Sequence, residues 1–135
     1  IPVLYGDVSL DTDQGINILS GDQIIKSIVA NLKSDYRIEK VIFLADVDGI
    51  YSKDPSIPDA ELLKKVTPSD VKNISGSAGI DVTGGIKNKV NQMLEIAKLD
   101  PEIEIRLANG LKDSLTKILD GEDIGTEFIA YNYEN

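Results

Sequence analysis

The chain of 135 residues contains no cysteine and no histidine, and these absences exclude several kinds of site. Without cysteine there is neither a disulfide framework nor a thiolate metal site, which fits a reducing cytoplasm, so we expect a cytoplasmic protein. Without histidine, any mechanism that needs an imidazole base depends on another polypeptide segment. No apolar run approaches the roughly 18 residues of a membrane span, and no signal-peptide pattern opens the chain. We therefore expect no membrane partner.

Basic residues are also in the minority. The 14 lysines and arginines stand against 23 aspartates and glutamates, which gives a net charge of −9. This balance argues against non-specific binding to nucleic acid or to an anionic membrane surface. An anionic small ligand would have to be held by local groups, against the overall field of the protein.

Apolar periodicity predicts strands that alternate with helices, in a single domain over residues 1–135. The run from Val41 to Ala45 is typical of a strand buried on both faces, whereas Val90, Met93 and Ala97 recur at helical spacing. Such alternation indicates βαβ units and a mostly parallel sheet with helices on both faces. The pattern predicts strands at 1–5, 41–45, 102–110 and 125–132, helices at 20–35, 67–74, 86–97 and 111–118, and an irregular stretch at 51–80.

Ligands of such sheets bind beyond the carboxyl ends of the strands, and three predicted loops leave strands there, at 6–22, 46–58 and 109–111. In the first loop, "SGDQ" places Gly21 and Asp22 at a helix start. These residues could serve only as a cap and turn, with Ser20 or Asp22 as the N-cap. Alternatively, a ligand approaches Gly21 closely while Asp22 orients cationic groups or a metal-bound water.

The second loop, "ADVDGIYSKDP", has aspartates directly after the predicted buried strand. They could form a plain polar turn, or they could bind Mg²⁺ or ribose hydroxyls. An EF-hand is excluded because Gly49 follows Asp46 too soon for the glycine of that calcium loop.

A third candidate, "DVTGGIKNKV", places Gly84 and Gly85 ahead of a helix that bears Lys87 and Lys89. The stretch matches neither GxxxxGK[ST] nor GxGxxG. It nevertheless combines bare backbone donors, a helix N-terminus and ammonium groups, which together suit a phosphate. The alternative is that both lysines are solvated surface residues. Because they lie about 200° apart around a helix, both cannot face one phosphate, and we expect Lys89 to be the ligand.

Six motifs occur in an order that identifies a family resemblance: "PVLYGDV", "ILSGDQI", "FLADVDGIYSKDP", "DVTGGIKNKV", "LANG" and "GTEFI". Together they resemble the C-terminal, nucleotide-binding half of the amino acid kinase superfamily. Within it they look most like the kinases that convert isopentenyl phosphate to the diphosphate in an archaeal-type isoprenoid pathway. The resemblance implies a three-layer αβα sandwich on a mainly parallel sheet, usually a homodimer, with ATP and Mg²⁺ as cofactors and a small phosphorylated acceptor.

The resemblance also implies roles for particular residues. Asp22 would organise the lysines around the transferring phosphoryl group and, with Lys89, form the catalytic pair, while Gly21 would lie against the acceptor phosphate. The ATP phosphates would be held by Gly84, Gly85 and Lys89. The nucleotide site would be lined by Asp46, Tyr51, Ser52, Lys53, Asp54, Pro55 and Ser56.

Several features of the family are absent from this sequence: its glycine-rich N-terminal segment, its early lysine and the histidine that binds the acceptor phosphate. Ala45 stands where a threonine is commoner. The missing N-terminal half of the same enzyme is therefore an expected partner, and we expect the isolated chain to be inactive. Two alternatives stay open: another acceptor of the superfamily, such as a carboxylate or carbamate, and a non-catalytic nucleotide-sensing module.

Overall fold

The computed structural model describes residues 1–74 and 85–131, which fold into two sheets and four helices. The first sheet is a hairpin, and the second contains four strands. In chain order the elements are β1 (Asp7–Asp11), β2 (Gly15–Leu19), α1 (Gly21–Leu32), β3 (Lys40–Ala45), β4 (Lys65–Val66), α2 (Val71–Ile74), α3 (Gly85–Leu99), β5 (Glu104–Asn109), α4 (Ser114–Leu119) and β6 (Thr126–Phe128).

The main sheet has the strand order β3-β5-β6-β4. The β3–β5 and β4–β6 pairs are parallel, and the central β5–β6 pair is antiparallel. The predicted mainly parallel sheet is thus confirmed, with one reversed strand. The reversed strand β6 begins opposite Leu107, near the end of β5, and runs back along it to Phe128 opposite Ile105.

Helices cover both faces of this sheet, as the αβα prediction requires. Ile105 and Leu107 join the main core with Met93 of α3 and Val29 of α1. Side chains alternate across a strand, so Ala108 faces the other way. That second face meets α4, whose buried residue Ile118 lies outside the main core cluster.

The two long helices match their predicted positions. Ser20 is the N-cap of α1, and its hydroxyl accepts from the Gln23 backbone N–H at 3.2 Å. The Gln23 side chain accepts in turn from the Ser20 N–H, which completes a capping box and decides the cap in favour of Ser20 over Asp22. In α3 the predicted apolar face is buried except at Ile86, which is 52% exposed in the first turn.

Three strand predictions were wrong. Residues 1–5 form no strand, because no ladder joins them to any other described residue, and the expected loop 6–22 contains β1 and β2 instead. The turn that joins β1 to β2 ends at Gly15, whose φ of +78° is a backbone conformation that favours glycine. The supposedly irregular stretch 51–80 contributes β4, and β6 ends at Phe128, well short of residue 132.

Arg106 anchors the amino-end half of the sheet on the α4 side. Its guanidinium donates to Asp123 Oδ1 at 2.8 Å and to the Ile124 carbonyl at 3.0 Å, and it also pairs with Glu104. Burial alone would lower the pKa of Arg106, but these hydrogen bonds outweigh it and raise that pKa. Burial likewise opposes ionisation of Glu104, yet Lys40 and Arg106 hold its pKa below the ordinary value.

We predict that Arg106→Ala lowers the free energy of unfolding by about 1–3 kcal/mol, because it removes a buried side chain and leaves carboxylates with fewer donors. Lys98→Ala is the matched control. It removes an exposed i,i+3 pair with Glu95 and should cost no more than about 0.5 kcal/mol. Urea titration of the two variants measures both values, and equal losses would contradict the assignment.

The same network predicts a pH dependence. A carboxyl group whose folded pKa is lowered stabilises the protein above its unfolded pKa, and the contribution disappears as pH falls through the folded value. The difference between wild type and Arg106→Ala should therefore be full at neutral pH and shrink below about pH 4.5, the ordinary value for Glu104. A difference that grows on acidification would contradict this prediction.

Candidate active site

Two helix starts and two strand ends share one edge of the sheet. α1 leads into β3 through residues 33–39, and α3 leads into β5 through residues 100–103. With links this short, each helix runs antiparallel to the strand that follows it. The N-termini of α1 and α3 therefore lie at the edge where the parallel strands β3 and β5 end, and helix N-termini favour anions.

Asp22 and Lys89 meet across the packed helices α1 and α3. Lys89 Nζ lies 3.8 Å from Asp22 Oδ2, and the two side chains are 35% and 21% exposed. Asp22 occupies the first turn of α1, where a negative charge is favoured by the helix dipole. The structure thus brings together both residues of the predicted catalytic pair, and it leaves the ammonium group partly open to a ligand.

Lys87 differs from Lys89 in its surroundings. α3 begins at Gly85, and Lys89 follows by about one helical turn. Lys87 is exposed, whereas Lys89 is half-buried. The predicted difference in orientation is therefore present, although binding of phosphate by Gly85 and Lys89 stays a prediction. Gly84 lies outside the described residues.

Gly21 lies where the backbone of residues 5 and 6 crosses the start of α1. A Cβ at Gly6 would lie 3.0 Å from the Leu19 carbonyl and 3.1 Å from the Gly21 nitrogen, so the two glycines bring the chain segments close together. A Cβ on Gly21 would lie 3.4–3.5 Å from atoms of Tyr5 and Gly6, an ordinary contact distance, so this packing does not itself require a glycine at position 21. The role of Gly21 at the acceptor phosphate stays a prediction.

The loops that follow β3 and β5 are joined by a cluster that sequence reasoning missed. Asp48 Oδ1 accepts from Asn109 Nδ2 at 2.9 Å and from Lys112 Nζ at 2.6 Å. Asp46, the predicted nucleotide ligand, is exposed, and its carbonyl oxygen lies 3.5 Å from Asn109 Nδ2. The motif "LANG" signalled this cluster, since it places an amide side chain directly after a buried strand.

Charge pairing sets the protonation of this cluster. The hydrogen bond from Lys112, followed by that from Asn109, lowers the pKa of Asp48. The same bond to Asp48 raises the pKa of Lys112. Both groups therefore stay charged around neutral pH, and the edge carries a second ammonium group, which could bind an anion.

The predicted nucleotide stretch from Tyr51 to Ser56 forms one arm of a hairpin-like loop. Tyr51 pairs with Leu62 in an isolated antiparallel bridge, and Ser52 N donates to the Glu61 carbonyl at 2.8 Å. The Asp54 carboxylate accepts from both the backbone and the hydroxyl of Ser56, each at 2.8 Å.

Asp54 Oδ1 is thus already hydrogen-bonded within its own turn. Of the six residues, Tyr51, Lys53 and Asp54 are partly buried, whereas Ser52, Pro55 and Ser56 are exposed.

Thr126 locks this loop to the sheet. Its fully buried hydroxyl accepts from the Ile50 N–H at 2.8 Å and donates to the Leu63 carbonyl at 2.6 Å. Gly49 has φ +154°, and a Cβ there would lie 2.5 Å from Thr126 Oγ1. The motifs "DVDG" and "GTEF" are therefore coupled by packing and hydrogen bonding.

Neither clusters of acidic side chains nor surface depressions locate the candidate site. Among residues 1–74 and 85–131, no group of three or more acidic side chains could hold a metal ion. None of the described helices is long and apolar enough to cross a membrane. Two open, polar depressions of about 460 and 350 Å³ lie at the amino ends of β3 and β5, around Lys40 and Glu104. The Asp22–Lys89 pair and the Asp48–Asn109 contact lie at the opposite edge of the sheet from those depressions.

Comparison with known proteins identifies the family. The sequence profile of the amino acid kinase family matches residues 1–109. The chain belongs to the amino acid kinase family. It therefore shares that family's α/β fold, which agrees with the order of its motifs.

Relatives of this chain are named for two different acceptors, isopentenyl phosphate and glutamate. The chain is 36% identical over 128 residues to isopentenyl phosphate kinase of Methanothermobacter thermautotrophicus, covering 92% of this chain and 46% of that protein. It is 36% identical over 140 residues to glutamate 5-kinase of Clostridium perfringens, covering 96% and 49%. The crystal structure of the Thermoplasma acidophilum isopentenyl phosphate kinase product complex superimposes with a TM-score of 0.64 at 32% identity, covering 92% and 45%. The chain thus spans about half the length of these relatives.

We predict that Thr126→Val destabilises the protein by about 1–3 kcal/mol. This nearly isosteric change leaves the Ile50 N–H and the Leu63 carbonyl without their buried partner. Thr126→Ser keeps the hydroxyl and loses one methyl group, so it should cost about 1 kcal/mol. Thermal or urea unfolding distinguishes the variants, and a serine variant less stable than the valine variant would contradict the hydrogen-bond assignment.

Proposed function

We propose that this chain is the ATP-binding part of a kinase that transfers the γ-phosphoryl group of ATP to isopentenyl phosphate. The observation that carries the proposal is the Asp22–Lys89 pair at the adjoining N-termini of α1 and α3. Relatives named isopentenyl phosphate kinase, at 32–40% identity, support the choice of acceptor.

Phosphoryl transfer depends chiefly on positioning and on neutralising negative charge. The start of α3 at Gly85 and the Lys89 ammonium supply fixed positive character at one point. Asp22 holds the ammonium group between the helices when no nucleotide is bound. In the proposed enzyme, Lys89 stabilises negative charge on the transferring phosphoryl group, and Asp22 keeps the Lys89 ammonium group aligned.

Residues 46–56 provide the proposed nucleotide surface. Thr126 and Gly49 fix the start of this segment, so its position is set before a ligand arrives. Mg²⁺ commonly binds substrate phosphates together with one or two carboxylates. We propose that Mg²⁺ contacts the exposed carboxylate of Asp46 and the carboxylate of Asp22. The Mg²⁺ ion would neutralise phosphate charge.

Lys89→Ala in the full-length protein should lower kcat/KM for ATP at least about tenfold, equivalent to about 1.4 kcal/mol of transition-state stabilisation. Lys87→Ala is the matched control, since it removes the same group from the same helix at an exposed position. Its kcat/KM should stay within about threefold of wild type. Steady-state kinetics of both variants provides the test, and the reverse ranking would reassign the phosphate ligand to Lys87.

The acceptor is tested by competing substrates. Glutamate is the second candidate, because the Clostridium perfringens glutamate 5-kinase is 36% identical to this chain, the same identity as that of the Methanothermobacter isopentenyl phosphate kinase. We expect the full-length protein to form ADP with isopentenyl phosphate and not with glutamate. ATP binding without turnover of either acceptor would favour the nucleotide-sensing alternative.

The 135-residue chain alone should bind Mg·ATP but turn over isopentenyl phosphate at less than about 1 s⁻¹, the lower end for typical enzymes. The reason is that it has no histidine for the acceptor phosphate and spans about half of its relatives. Calorimetry measures binding, and a coupled ADP assay measures turnover. Turnover at the rate of the full-length protein would refute this division of roles.

A further inference from the structure

The exposed apolar surface of the protein is concentrated in its first 19 residues. Of the large apolar side chains that are exposed in the described part of the chain, nine lie within residues 1–19 and eight in all the rest. Exposed apolar side chains clustered in this way are typical of an interaction site.

The β1–β2 hairpin has an aliphatic face that is exposed to solvent. Val8 lies opposite Ile18 and Leu10 opposite Ile16, so these four side chains share one face. They are 64%, 77%, 90% and 66% exposed in that order.

The other face of the hairpin carries Asp7, Ser9 and Asn17, of which only Ser9 is partly buried. The aliphatic face is thus left open to solvent, and such a face is typical of a surface that a partner covers. Two isolated strands are also at best marginally stable in water, so a covering partner would stabilise the hairpin itself.

This apolar surface continues to the candidate active site. Ile1, Val3 and Tyr5 are 93%, 81% and 75% exposed, and they precede Gly6, which packs against the start of α1. Tyr5 backbone atoms lie 3.5 Å from the position of a Cβ on Gly21, next to Asp22. A partner seated on residues 1–19 would therefore lie beside the Asp22–Lys89 pair.

The charge around the surface indicates which partner fits. Asp7, Asp11 and the exposed Asp13 border the hairpin, and the whole chain carries a net charge of −9. Pairing of this face with a second copy would bring the same acidic borders together. More than half of each relative's length, by contrast, lies outside the region that matches this chain.

We propose that residues 1–19 form the internal surface on which the acceptor-binding part of the same kinase subunit packs. The proposal rests on the proposed function, because it identifies the partner as the rest of that enzyme. Packing there closes the site: the apolar faces of the hairpin and of residues 1–5 become buried, and acceptor-binding groups are delivered next to Asp22.

The absence of cysteine makes single-cysteine labelling a direct test. Leu10→Cys and Ile16→Cys place a thiol on each strand of the apolar face, so a folding defect in one leaves the other to report. Tyr36→Cys is the control, because Tyr36 and Ile16 are both 66% exposed and Tyr36 lies on the link before β3, at the opposite edge of the sheet. Maleimide reaction rates are compared in the full-length protein and in the 135-residue chain, without nucleotide.

We expect Leu10→Cys and Ile16→Cys to react at least tenfold more slowly than Tyr36→Cys in the full-length protein, at a rate that does not depend on its concentration, and at a rate similar to that of Tyr36→Cys in the 135-residue chain. Equal rates in the full-length protein would overturn the proposal. Protection in the 135-residue chain that increases with concentration would also overturn it, since the occupant would then be a second copy. The labelling requires no turnover. Protection without kinase activity would therefore support residues 1–19 as a packing surface and refute the proposed function.

Discussion

Parallel strands that pair in register deliver their carboxyl ends to the same place, and β3 and β5 do so over their whole length, from Lys40 opposite Glu104 to Ala45 opposite Asn109. The rest of the candidate site depends on this pairing. It brings Asp48 within hydrogen-bonding distance of Asn109, and through the short links into these strands it fixes where α1 and α3 begin. A shift of one residue would turn Ile105 and Leu107 away from the core, so core burial protects the geometry of the site.

Groups with no evident chemical role hold the site in position. Thr126 and Gly49 fix the loop after β3 by a buried hydroxyl and a close approach that no side chain permits. Arg106 ties the same sheet to the turn after α4 at Asp123. The Thr126 hydroxyl and the Arg106 side chain are buried, and burial makes an unsatisfied polar group costly. Both sets of contacts leave the loop surface free for binding.

Electrostatics in this acidic protein is local. Lys89 and Lys112 each lie beside an aspartate, Asp22 and Asp48 respectively, on the edge where the helices begin. Such pairs are partly solvated, so they contribute little to stability. Their importance lies in placement: each carboxylate holds an ammonium group at a fixed point in an otherwise negative field. An anionic ligand therefore meets oriented cations rather than an average surface charge.

The α/β class, the positions of α1, α3, β3 and β5, and the family could all be predicted from the sequence, because apolar periodicity and the order of motifs are properties of the chain alone. The sequence also separated Lys87 from Lys89, since helical spacing is local. Tertiary structure decided the rest. The Asp48–Asn109–Lys112 cluster joins residues more than 60 positions apart, and no local pattern encodes which strands become neighbours. The segment 1–5 reads as a strand from its apolar residues, yet a strand forms only when another strand completes its hydrogen bonds, and within the described residues none does.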